Sequence, residues 1–185
     1  MINITIQKDV LPESSLINNM NQRYDYIDSY SSVIQLHKQT TLTIEDTGRS
    51  FFSSPPAWVD NLLTLRNSIV KIFGIKVPES TRNKQALIES FECKIGDQLG
   101  LFKVMEKNAN EIVFGEDNKH LDFRVSLFID RIDKERNGKL IISTIVLFNN
   151  WLGRLYFLPV KQFHMLIVPT ILKGMVRQLK IEAEP

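Results

Sequence analysis

An α+β fold is predicted for this sequence: an antiparallel sheet covered by one long C-terminal helix. Three observations carry it. Leu121, Phe123, Val125, Leu127 and Ile129 alternate with Asp122, Arg124 and Ser126, the period-two pattern of a strand with one face buried and one wet. Asn137-Gly138 stands between two β-rich runs, a strong hairpin signal, and a two-residue loop there would set Ile129 opposite Val146 and Leu127 opposite Phe148. From about Pro159 to Leu179 the apolar residues recur at helical spacing, and a sheet with an apolar face needs such a cover.

Composition bounds the rest. The chain of 185 residues is long enough for one well-cored domain, read as residues 1–185 with residues 1–23 as an N-terminal arm. Hydrophobic residues make up 43% and charged residues 24%, ordinary values for a globular protein. The net charge of +2 is spread along the chain without a basic patch, so no nucleic-acid partner is expected. One cysteine, Cys93, fits a reducing compartment. The opening residues show no signal peptide. Lys161, Gln162 and His164 interrupt the closing apolar stretch, so no membrane span is expected and the protein reads as cytoplasmic.

The elements follow in order. Tyr24–Leu36 is rich in aromatic and β-branched residues and predicts a strand. Thr43 with Asp46 three residues on resembles a capping box, predicting a short helix over 44–52. Ser54, the two prolines after it and Gly74 bracket a second helix, and residues 76–90 read as a polar connection with at most a helical turn. Short apolar runs separated by turn residues then fill 91–149, the meander, before the closing helix. Order along the chain is strand, two shorter helices, antiparallel meander, long helix.

Two polar residues fall on apolar faces. At about 100° per residue, Val160, Phe163, Ile167, Val168, Ile171 and Met175 share one side of the closing helix, with His164 in the middle of that arc. In the second helix Arg66 lies among Trp58, Val59, Leu62, Leu63, Ile69, Val70 and Phe73. An arginine does not shed its charge, so a buried Arg66 needs Glu45, Asp122, Glu116 or a ligand anion, unless it snorkels from the edge. An inward histidine can equally be satisfied by a backbone carbonyl. Together the two point toward a lined cavity. His120 and Asp122 lack further ligands at metal spacing and read as a hydrated strand face, so no metal and no cofactor are expected. Phosphate loops, GxGxxG and nucleophile elbows are absent from the sequence. Cys93 reads as packing, and Trp151 and Tyr156 as aromatics closing the core.

The segments "FFSSPPAWVDNLLTLRNSIVKIFGI", "IGDQLGLFKV", "NEIVFGEDNKHLDFRVSL" and "LGRLYFLPVKQFHMLIV" resemble a bacterial family, domain of unknown function 2867, over about Tyr24–Val176. That family resembles the START-like, helix-grip (SRPBCC) superfamily. The resemblance implies a sheet wrapped around the C-terminal helix to enclose a ligand cavity, and it carries over no catalytic residues. Pro169 is a departure that bears on the far end of such a cavity.

The combined expectation is a domain binding a small lipophilic or amphipathic molecule between sheet and helix. Arg66 and His164 would be its polar anchors, and Trp58, Phe123, Val125, Tyr156, Phe163 and Ile167 its wall. Two other readings stand beside it: acid–base chemistry of cyclase, dehydratase or isomerase type on a bound carbonyl compound, and a structural or partner-docking domain with a filled core.

Overall fold

A computed structural model describes residues 4–20, 23–35, 42–56, 58–59, 84–131 and 137–181. Among these residues seven strands form one antiparallel sheet: β1 (Gln7–Asp9), β2 (Tyr26–Gln35), β3 (Gln98–Leu99), β4 (Phe102–Lys107), β5 (Glu111–Glu116), β6 (Leu121–Arg131) and β7 (Asn137–Phe148). Their order across the sheet is β1-β2-β7-β6-β5-β4-β3. Among the described residues there are also three helices, α1 (Ile44–Ser53), α2 (Lys84–Glu89) and α3 (Trp151–Ile181), with a 3-10 turn over Leu16–Met20; most of the helix expected between Ser54 and Gly74 lies outside the described residues. The α+β class and the long helical cover agree with the sequence reading.

Local chemistry accounts for α1. Thr43 accepts from the Asp46 amide at 3.1 Å and the Asp46 carboxylate accepts from the Thr43 amide at 3.1 Å, a reciprocal box that satisfies two end donors. The helix buries Phe51 and Phe52 against Phe102 and Phe114, with ring centroids 5.2–5.9 Å apart. Gly48 permits this approach, since a Cβ there would meet Cys93 Sγ at 2.8 Å. Cys93 is indeed a packing residue, fully buried, and burial pushes its thiol pKa up to about 11. At the far end, Lys107 pairs with Glu45 at 2.7 Å and holds that carboxyl below its ordinary range.

The β6–β7 register differs from the two-residue-loop reading. Ile129 pairs with Leu140 and Leu127 with Ile142, and Arg131 pairs with Gly138, so Asn137 and Gly138 belong to β7. The connection between the strands is longer than the sequence signal implied. Because the offset from Val146 back to Leu140 is an even number of residues, every side chain keeps its expected face.

The second correction concerns the face expected to be wet. Arg124, Ser126 and Phe128 are buried there. The N-terminal arm crosses this face: Ile17 packs with Val113 and Ile145, flanked by Leu11, Leu16, Met20 and Tyr24. Beneath the arm lies Glu111, fully buried. Its carboxylate accepts from the Ser15 hydroxyl at 2.6 Å, the Leu16 amide at 2.7 Å and the Ser126 hydroxyl. Arg124 lies across Gly115, where a Cβ would come within 2.6 Å of its side chain, and reaches Asp117 and the Phe123 carbonyl. Arg124 and Ser126 are thus paired internally rather than hydrated, while Asp122 is half-buried and Asp130, on the same face, is exposed.

The closing helix starts at Trp151, a full two turns before Pro159. Asn150 caps it by accepting from the Gly153 amide at 3.1 Å. Pro159 and Pro169 lie inside the helix. Each removes the donor to the carbonyl four residues back, Leu155 and Met165, and both of those residues are exposed to water. By length and composition α3 would also suffice to cross a membrane, which its interrupted apolar run did not suggest. Its inward stripe nevertheless packs on the sheet: Val168, Ile171, Leu172, Met175, Val176 and Leu179 join the main core.

Candidate functional site

The sheet face under α3 is built in rows set by strand pairing. One row reads Phe123, Val146, Tyr26, and the next reads Val125, Thr144, Asp28. Above that second row sits His164. Its Nε2 lies 3.1 Å from Asp28 Oδ1, while the Tyr26 hydroxyl donates to Asp28 Oδ2 at 2.7 Å. Both carboxylate oxygens are therefore engaged, and Asp28 is buried. The ring of Tyr26 stands edge-on to the imidazole, with centroids 6.1 Å apart, and Lys161 Nζ lies 5.3 Å from the Tyr26 ring centroid.

Burial first, and the Asp28 carboxylate second, raise the Tyr26 pKa well above the ordinary phenol range, so the hydroxyl stays a donor. The folded state binds this proton more tightly than the unfolded chain. Its contribution is fully present below about pH 10 and is lost as pH rises through the folded value. Tyr24 and Tyr30 are shifted the same way by burial. Urea titrations at about pH 9 and pH 11 are expected to show a falling stability that is shallower in Tyr26→Phe. An identical slope in the variant would mean that Tyr26 ionises as freely in the folded chain as in the unfolded one.

Thr144 is the neighbour of Asp28 across the strands, and its buried hydroxyl has no hydrogen-bond partner among the described residues. On His164, Nε2 is the nitrogen anchored to Asp28, and no described residue hydrogen-bonds to Nδ1. The arrangement therefore offers two polar positions beside apolar wall: the buried Thr144 Oγ1 and the second nitrogen of an imidazole whose side chain is 17% exposed. A carboxylate-anchored imidazole of this kind can accept or donate a proton at its free nitrogen.

Of the residues singled out from sequence, five share this region. Phe123 and Val125 lie in the two rows, and Tyr156, His164 and Ile167 recur on the inward stripe of α3, with Tyr156 buried. Two stand apart: Phe163 is 39% exposed at the edge of the stripe and Trp58 is 41% exposed. Trp151, expected to close the core, is 69% exposed, on the side of the helix turned away from Gly153 and Tyr156. Arg66 lies outside the described residues. His120 is buried in the bend before β6, with Nδ1 near the Asn150 amide rather than on a hydrated face beside Asp122. Among the described residues no group of acidic, histidine or cysteine side chains is arranged to hold a metal ion. A crevice lined by Asp122, Phe123, Arg124, Ile145 and Leu147 has no room for a water molecule.

Asp28, Tyr26 and Thr144 were missed from sequence, although a signal existed. Asp28 is in phase with Tyr26, Tyr30 and Ile34, and Thr144 with Leu140, Ile142 and Val146. A polar residue in the apolar phase of a strand is the same kind of clue that marked His164 in its helix.

Fold and site together define an α+β protein of helix-grip arrangement, a long C-terminal helix lying on one face of an antiparallel sheet. The chain belongs to the family described as protein of unknown function (DUF2867), whose family model matches residues 20–171. No curated protein and no solved structure matches it.

Proposed function

We propose that the protein binds a small lipophilic or amphipathic molecule between the sheet and α3, using His164 Nδ1 and Thr144 Oγ1 as polar contacts. The observation that carries this reading is the buried row Val125–Thr144–Asp28 beneath His164. Native interiors satisfy nearly all their polar groups, so an unpaired buried hydroxyl beside an anchored imidazole is what an absent ligand group would leave. Phe123, Val125, Tyr156 and Ile167 supply apolar wall. Membership of the START-like superfamily belongs to the same proposal, supported by the seven-stranded antiparallel sheet and the single long closing helix.

The His164–Asp28 pair also favours a second reading, in which the bound molecule is a carbonyl compound and His164 shuttles a proton. Asp28 would act as the positioning residue, fixing the ring by its Nε2 contact.

An NMR titration with amphipathic carbonyl compounds, such as a medium-chain fatty acid and an alkyl ketone, tests the binding reading. The expected result is shifts at Asp28, Thr144 and the His164 ring that disappear in His164→Gln. Glutamine retains a donor for Asp28, whereas phenylalanine would leave a buried carboxylate oxygen unpaired at about 1.5–3 kcal/mol. Shifts scattered over the surface, or unchanged in His164→Gln, would count against the site.

A further inference from the structure

The outer face of α3 is apolar where a helix packed on a sheet ordinarily turns polar. Trp151, Leu155, Leu158 and Leu166 are 69%, 48%, 64% and 63% exposed, and Met165 lies beside them at 38%. At helical spacing these side chains fall on one side, opposite the stripe of Gly153, Tyr156, Val160 and His164 that faces the sheet. Farther along, the same outer side becomes basic, with exposed Lys173 and Arg177. Arg154 and Lys161 flank the apolar half and are exposed too. From Trp151 to Ile181 the helix contains no aspartate or glutamate.

From this charge pattern we propose that α3 docks the protein on the surface of an anionic lipid bilayer. Trp151, Leu155, Leu158 and Leu166 enter the boundary between headgroups and acyl chains, and Lys173 and Arg177 meet lipid phosphates. Three features select a bilayer as the occupant. The apolar patch, crossed at one position by the exposed Gln162, carries a tryptophan, the residue enriched at membrane interfaces. Its basic continuation lacks any compensating acid on the helix, which suits an anionic surface. The helix lies on the membrane and does not span it, because its inward stripe is committed to the sheet through the main core and the His164–Asp28 contact. The proposal is independent of ligand binding at the His164 row.

Flotation of the full chain with vesicles tests it, comparing pure phosphatidylcholine with phosphatidylcholine containing about one-third phosphatidylserine. The expected result is binding to the anionic vesicles at low salt, with a blue-shifted tryptophan emission that Trp151→Phe removes. Leu158→Ser combined with Leu166→Ser is expected to weaken binding by at least about tenfold, as is Lys173→Glu combined with Arg177→Glu. All four positions are exposed, and unchanged thermal unfolding of both double variants shows that the fold is kept. Equal binding to both vesicle types, binding to neither, or a dimer in sedimentation that Leu158→Ser dissociates would each overturn the proposal. The last result would assign the patch to a second copy of the chain.

Discussion

Gly153→Ala is expected to destabilise the protein by about 2–3 kcal/mol, the cost of forcing a carbon into a filled space. In an open helix the same change would stabilise by about 1 kcal/mol, because alanine is the better helix former. The sign reverses here because a Cβ on Gly153 would run into the His120 carbonyl oxygen and fall 2.9 Å from its carbon. The obstacle is backbone, and that oxygen also accepts from the Asn149 amide at 2.9 Å, so it cannot swing aside cheaply. Gly174→Ala meets the Ser54 carbonyl at 2.8 Å and is expected to cost less. Chemical denaturation of the two variants checks the ranking. A Gly153→Ala protein at or above wild-type stability would mean that α3 does not start against the end of β6, and the placement of His164 over Asp28 would lose its support.

Glu111→Ala should cost about 3–5 kcal/mol, as expected when several buried donors lose their acceptor at once. The Ser15 hydroxyl, the Leu16 amide and the Ser126 hydroxyl all end on this one carboxylate. Two of them belong to the arm, so the loss has a location as well as a size. Amide exchange of residues 11–20 is expected to quicken well beyond that of β6 and β7. Glu111→Gln keeps an acceptor oxygen and should lose less. Uniform loss of protection across the sheet in Glu111→Ala, with the arm no worse than the rest, would show that the carboxylate does not tie the arm down.

How much of this was legible in the sequence depended on the range of the interaction. The box at Thr43 and Asp46 is complete within four residues and was readable in full. The faces of β6 were readable because a period of two survives any even error in register. The register itself was not, since Asn137-Gly138 fits both a tight turn and a strand end, and only pairing with β6 and β2 separates them. Pro159 attracted the helix start because proline suits a first turn, while the real cap, Asn150, is selected by its contacts with Gly153 and the Lys119 carbonyl. The covered outer face was illegible for a similar reason. Arg124 and Ser126 look like hydrated residues until Asp117, Gly115 and Glu111 are brought beside them. His164 was found by phase alone, but its partner Asp28 lies 136 positions away, and nothing local links the two.

The central claim, a small molecule held under α3 by the His164 row, is tested most directly by native mass spectrometry of protein purified from its own cell, wild type beside His164→Gln. The account predicts a retained organic adduct on the wild-type protein that is released on denaturation and is reduced or absent in the variant. A wild-type protein of bare polypeptide mass, or an adduct retained equally by His164→Gln, would contradict it and leave a filled core as the better description.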